Sequence, residues 1–182
     1  MIKRISFGEP AAAPATLPAP VRPLRVAVCT ELSGDTVITL EWFSGERHLA
    51  LFEDRLSGSP GLVAVAEEAV LRGADWLERR WRAGGDRYKH MALAMRAAGL
   101  TREEFSRRWR GHAGAGIPEE IRGRAYVQNH PLRGPYDAVN EVYFDDIAGL
   151  RARAEWFGGV KADPELFAES RLISVKEVVV CD

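Results

Sequence analysis

The chain has 182 residues, 46% of them hydrophobic, and a formal net charge of −1. That length can bury a core without disulfides or a structural metal, and the near-neutral balance gives no electrostatic footprint for nucleic acid. Two cysteines, Cys29 and Cys181, with no CxxC spacing argue against a disulfide framework or a zinc site and read as reduced thiols on strands.

In chain order, residues 2–7 alternate and read as a short strand. Five of the ten prolines then fall between Pro10 and Pro23. Repeated proline fixes φ and removes donors, so this stretch is an extended connector. Residues 24–32 and 36–43 are strands around a Ser33-Gly34-Asp35 turn. Residues 45–56 place Leu49, Phe52 and Leu56 on one helical face. After the turn residues 57–60, LVAVAEEAVL (62–71) fits a strand or a helix, and 73–82 reads as a linker carrying two tryptophans. YKHMALAMRA (88–97) is a strand. Thr101 and Glu104 make a capping box for a helix over 101–114, and Pro118 opens a short helical turn. RAYVQNH (124–130) and YDAVNEVYF (136–144) are strands joined by a turn at 131–134. DIAGLRARAEWF (146–157) is an amphipathic helix with Ile147, Leu150, Ala154 and Phe157 inward. ADPELFAES (162–170) is a short helix and RLISVKEVVV (171–180) the last strand.

Residues 88–180 thus read β-α-β-β-α-β, the split βαβ order. The first half repeats this in degraded form. Trp42-Phe43-Ser44 and Tyr143-Phe144-Asp145 each end a strand and open a helix. Arg55-Leu56 matches Arg171-Leu172, and Val65 to Val70 matches Val175 to Val180. The Pro/Ala connector stands where the first helix is missing. Two units are expected, a degenerate half over 1–82 and a complete half over 83–182, packing sheet face to sheet face.

Four segments, GLTREEFSRRWRGHAG, RAYVQNH, YDAVNEVYFDD and LFAESRLISVKEVVV, together resemble the EthD-like proteins. The resemblance covers about half of the chain. It implies an α+β fold, the ferredoxin-like dimeric α+β barrel, closed either by a homodimer or by an intramolecular pseudo-dimer of the two tandem units. Proteins of that fold include polyketide cyclases, isomerases and cofactor-free monooxygenases, so the resemblance leaves the reaction open.

His112 is the first candidate for chemistry. It shares a helix face with Phe105 and Trp109 at i, i+4, i+7 spacing and matches the histidine of the family's "HA" pair. An imidazole titrates near neutral pH and suits acid–base work. With equal weight, His112 is a helix C-terminal histidine satisfied by backbone carbonyls. Tyr126, Gln128 and His130 share one strand face, and a Tyr…His strand at this place is what the resemblance implies. Asp137, Glu141 and Tyr143 share a face of the next strand. Asp137 or Glu141 would hold an imidazole tautomer or make cross-strand pairs. His90 shares its strand face with Ala92 and Ala94 and would look into the same pocket. Trp42, Trp76, Trp81 and Trp156 read as core or interface.

No GxGxxG, Walker A, GxSxG or HExxH occurs, and no cofactor or metal is expected. The first ten residues hold no apolar signal core, and no apolar run reaches the roughly 20 residues that span a bilayer. A cytoplasmic protein without membrane or nucleic-acid partners is expected. The expected activity is a lyase, cyclase or isomerase of secondary metabolism that acts without cofactor on an aromatic or polyketide-like carbonyl compound. His112, His130, Tyr126 and Asp137 would be catalytic. His90, Phe105, Trp109, Gln128, Glu141 and Tyr143 would hold the substrate. The alternatives are a cofactor-free oxygenase of phenols and a non-catalytic ligand-binding protein.

Overall fold

The computed structural model describes residues 1–8, 17–56, 61–112 and 116–181, without the side chains of His112 and Cys181. The strands are β1 (Ile2–Phe7), β2 (Arg25–Glu31), β3 (Val37–Phe43), β4 (Val63–Arg72), β5 (Arg87–Arg96), β6 (Ala125–Arg133), β7 (Ala138–Phe144) and β8 (Phe167–Cys181). The helices are α1 (Glu46–Glu53), α2 (Ala74–Ala83), α3 (Arg102–His112) and α4 (Ile147–Gly158). Much of the Pro/Ala connector and the turn at 57–60 lie outside the described residues.

All eight strands form one closed antiparallel barrel in the order β1-β3-β2-β8-β5-β7-β6-β4, with β4 returning to β1. This corrects the expected ferredoxin-like α+β fold with two sheets packed face to face. The halves join edge to edge, through the β2–β8 and β4–β6 ladders, so the sheet is continuous and the helices are short. Closure pairs the strand edges that two separate sheets would leave open. The interior is shared by both halves: Ile5, Leu40 and Trp42 pack in one cluster with Met91, Val139 and Val175.

Local chemistry sets the other corrections. VAVAEEAVLR is a strand throughout β4, because its alternate residues Ala64 and Ala66 are needed inside. The segment read as a linker is α2, whose Leu77, with Trp76 and Trp81 beside it, packs on Ala125, Val127 and Tyr143. Gly73 enters it at φ +76, where a Cβ would meet the Arg124 carbonyl oxygen at 2.3 Å, so only glycine fits this turn. The segment read as a short helix at 162–170 is a turn followed by the first residues of β8. Arg171-Leu172 therefore lies within a strand, unlike Arg55-Leu56, which follows α1.

The barrel interior holds buried charges. Lys3 donates to Glu141 at 2.6 Å and also meets Glu68. Lys89 bridges Glu141 and Glu177, and Arg87 donates to Glu177 at 2.8 Å. The Tyr143 hydroxyl donates to Glu141 at 2.8 Å. Burial alone would raise the Glu141 carboxyl, but the Lys3 and Lys89 charges outweigh it and hold the group well below the ordinary carboxylate range. The arrangement repeats between halves. Lys3 sits opposite Trp42 and Ala66, as Lys89 sits opposite Tyr143 and Val175. Glu68 and Glu177 each follow two residues later on their strands.

Candidate functional site

Strand alternation sends the other residues of β5, β6 and β7 outward. The outer face of the second half, α3 and α4 enclose a cavity of about 570 Å³, within the size range of small-molecule sites. Its floor is a set of ladder rows. His90, Val142 and Tyr126 lie opposite one another across β5, β7 and β6, and Ala92, Asn140 and Gln128 form the adjacent row. The alanines leave room, and Trp109 from α3 with Trp156 and Phe157 from α4 supply aromatic walls.

Tyr126 is the best-supported polar group. Its hydroxyl oxygen accepts from Gln128 Nε2 at 2.9 Å and from Asn140 Nδ2 at 2.8 Å. Both lone pairs are then used, and the O–H remains to be donated into the cavity. Burial raises this phenol above its usual value, against the lowering effects of the Gln128 hydrogen bond and the Arg153 and Arg72 charges.

His90 is 5% exposed and meets the Phe157 ring edge to face at 5.6 Å. Burial first, and then the Arg153 charge, lower its imidazole to about 4, so the ring is neutral at physiological pH. Arg153 is 7% exposed. It donates Nη1 to the Ile121 carbonyl at 2.8 Å and lies over Phe157. Among the described residues it makes no ion pair with a carboxylate, and its Nε has no hydrogen-bond partner. Burial brings it down to about 10, which leaves it charged at neutral pH. Arg72, from the end of β4, and Arg122 stand at the rim. Both turn donors onto backbone carbonyls, Arg72 to those of Arg122 and Gly123 and Arg122 to that of Ile117.

The residues singled out from sequence separate into several places. His90, Tyr126 and Trp109 come together on the cavity, and Gln128, itself buried, orients Tyr126. Phe105 packs behind Trp109, with rings stacked at 5.8 Å. Glu141 and Tyr143 do not reach the cavity. They point into the barrel and are consumed by the lysine network, because outward Asn140 and Val142 fix the parity of β7. Among the described residues, Asp137 pairs with Arg96 and Arg102 and accepts the Arg96 backbone N–H at 3.0 Å. His130 lies at the far end of β6, opposite Glu67 and off the cavity lining. Burial, and then the Arg110 charge, lower it. His112 ends α3, and its side chain lies outside the described residues. Sequence reading missed Arg153, Asn140, Arg72 and Arg122. Arg153 was findable, since Leu150, Arg153 and Phe157 share the 3–4 helical spacing of the buried stripe.

Among the described residues, no cluster of three His, Cys, Asp or Glu could hold a metal ion, and no helix is long and apolar enough to cross a membrane. No family model matches the chain, and no curated protein matches it either.

Proposed function

We propose that the outer cavity binds an aromatic or polyketide-like carbonyl compound and catalyses proton transfer on it without a cofactor. One observation carries this reading: a buried arginine with no carboxylate partner among the described residues, and a phenol whose oxygen already accepts two hydrogen bonds, line an aromatic-walled cavity together with a neutral imidazole. The ring system lies between Trp109 and Phe157. The carbonyl oxygen accepts from Tyr126 and Arg153. His90 takes a proton from the carbon beside the carbonyl: the C–H bond breaks, an N–H bond forms, and the charge collects on the enolate oxygen. As that charge grows it compensates Arg153, whose charge adds to burial in holding His90 low, so base and oxyanion donors support one another. A general base of this kind contributes about 10²–10⁴-fold in rate. The enolate can then cyclise, expel a leaving group or be reprotonated elsewhere.

The test is hydrogen–deuterium exchange at C1 of 2-tetralone, a bicyclic enolisable ketone, followed by NMR in D2O. The wild-type protein accelerates exchange above buffer. His90→Gln and Tyr126→Phe each lower the protein-dependent rate by about ten-fold or more. A wild-type rate equal to buffer removes the enzymatic reading. The second reading, a binding protein with the same ligand class, then stands. It is favoured by the same His90 value of about 4, which is low for a base working near neutral pH.

A further inference from the structure

The cavity's unsatisfied groups constrain its ligand further. Three side chains on its wall, each more than nine-tenths buried, carry a polar atom with no partner among the described residues: Arg153 Nε, Trp109 Nε1 and Asn140 Oδ1. Buried polar atoms are rarely left unpaired, and three of them on one cavity wall call for an explanation. Two of the three are donors, and Tyr126 adds a third. The charge balance agrees. Arg72, Arg122, Arg153 and Lys161 line the cavity against a single acid, Asp163. Asp163 is already engaged in its own turn, accepting the Glu165 N–H at 2.9 Å. A buried guanidinium without a counter-ion is costly, and a ligand that brings the counter-charge recovers that cost.

We infer that the cavity takes its ligand as an organic oxyanion, a planar ring system whose charged oxygen is received by Arg153 and Tyr126, with a second acceptor oxygen on Trp109 Nε1. The inference rests on the reading of this cavity as the ligand site. It assigns the arginine a binding preference that a site for neutral ketones would not need. The rim arginines add a field that draws anions inward, an effect that weakens with salt. The oxyanion can be a carboxylate or an enolate-type oxygen, and the two are separable by probe.

Calorimetry with 2-naphthoate and its neutral isostere 2-naphthamide tests the carboxylate. 7-Hydroxycoumarin, whose excitation spectrum distinguishes phenol from phenolate, tests the enolate-type oxygen. Hydrogen bonds to charged groups exceed neutral ones by enough to make 2-naphthoate bind at least about ten-fold more tightly than the amide. Arg153→Met brings the two within about two-fold of one another, and Arg153→Lys, which keeps the charge, restores part of the preference. Thermal unfolding of both variants shows whether the fold is intact. Preference for naphthoate with no extra ionisation of the coumarin assigns a carboxylate. Enhanced coumarin ionisation without naphthoate preference assigns an enolate-type oxygen. If naphthamide binds as tightly as naphthoate and the coumarin stays a phenol, the inference is overturned while the ligand site stands. If no probe binds, in the wild type or in folded variants, both the inference and the ligand site fall.

Discussion

At the scale of single residues, the site is defined by what its neighbours do to His90 and Arg153. Burial and the Arg153 charge hold the His90 imidazole at about 4, below its ordinary 6.5. The folded state therefore binds fewer protons than the unfolded chain between these values, and stability falls as pH drops from 6.5 towards 4. Proton NMR of the imidazole should give a midpoint near 4 in the wild type. Arg153→Met should move that midpoint upward by removing the second cause of the depression, and an unmoved midpoint would mean that the arginine charge does not reach the ring. That His90 and Tyr126 lie where they could share one cavity was legible in the sequence, because strand alternation sorts the residues of each strand into faces. Glu141 and Tyr143 turn away from that cavity for a related reason. Alternation says which residues share a face, but it does not say whether that face looks into the barrel or out of it. Arg153 escaped notice because an arginine on a helix reads as surface until the helix is seen lying over a cavity.

At the scale of elements, α3 shows the most direct link from sequence to structure. Thr101 Oγ1 accepts the Glu104 backbone N–H, and the Glu104 carboxylate accepts the Thr101 N–H, both at 3.2 Å. This is the reciprocal capping box expected from the residue spacing. The cap matters to the site because α3 carries Trp109. Thr101→Ala should lower stability by about 1 kcal/mol in urea unfolding and loosen ligand binding through Trp109. An unchanged midpoint would show that the α3 end contributes nothing. The elements misread from sequence share one cause. α2 carries its apolar face on only three residues, Trp76, Leu77 and Trp81, set among charged neighbours, and of these only Leu77 is fully buried. The start of β8, rich in exposed residues, gave no period to follow. In both, tertiary position rather than local pattern decides the structure.

At the scale of the whole molecule, the outer faces of the two halves are built alike, and the second half carries the cavity. Phe52 stands in α1 nine residues after Phe43, as Arg153 stands in α4 nine residues after Phe144. Arg4 faces Glu41 across its ladder where His90 faces Val142. On the first half, Phe52 packs on Phe43 with ring centres 5.1 Å apart, and Arg4 is neutralised by Glu41 beneath it. The same positions on the second half hold an arginine with no carboxylate partner among the described residues and a neutral histidine. The expected pairing of two separate sheets failed because sequence periodicity reports neighbours along a strand and is silent on which edges meet. The lysine–glutamate network that spans both halves depends on that closure. Glu141→Gln leaves Lys3 and Lys89 each short of a partner and should cost about 3–5 kcal/mol. Because the Glu141 carboxyl sits below its ordinary 4.5 in the folded state, its contribution is present above that value and is lost as pH falls beneath it. Acid unfolding of Glu141→Gln should therefore be less steep than that of the wild type. Identical acid profiles would remove the network from the account.

The most direct test of the site's location uses the indole N–H resonances of the five tryptophans in a nitrogen–proton correlation spectrum, recorded during titration with 2-naphthoate. The indole nitrogens of Trp109 and Trp81 both have no partner among the described residues, but only Trp109 lines the cavity, while Trp42 lies inside the barrel and Trp81, on α2, packs beside Leu77. On binding, the Trp109 signal should move downfield while those of Trp42 and Trp81 stay in place. Movement of Trp42 and Trp81 with Trp109 unchanged would put the ligand inside the barrel and contradict the assignment of the outer cavity as the site.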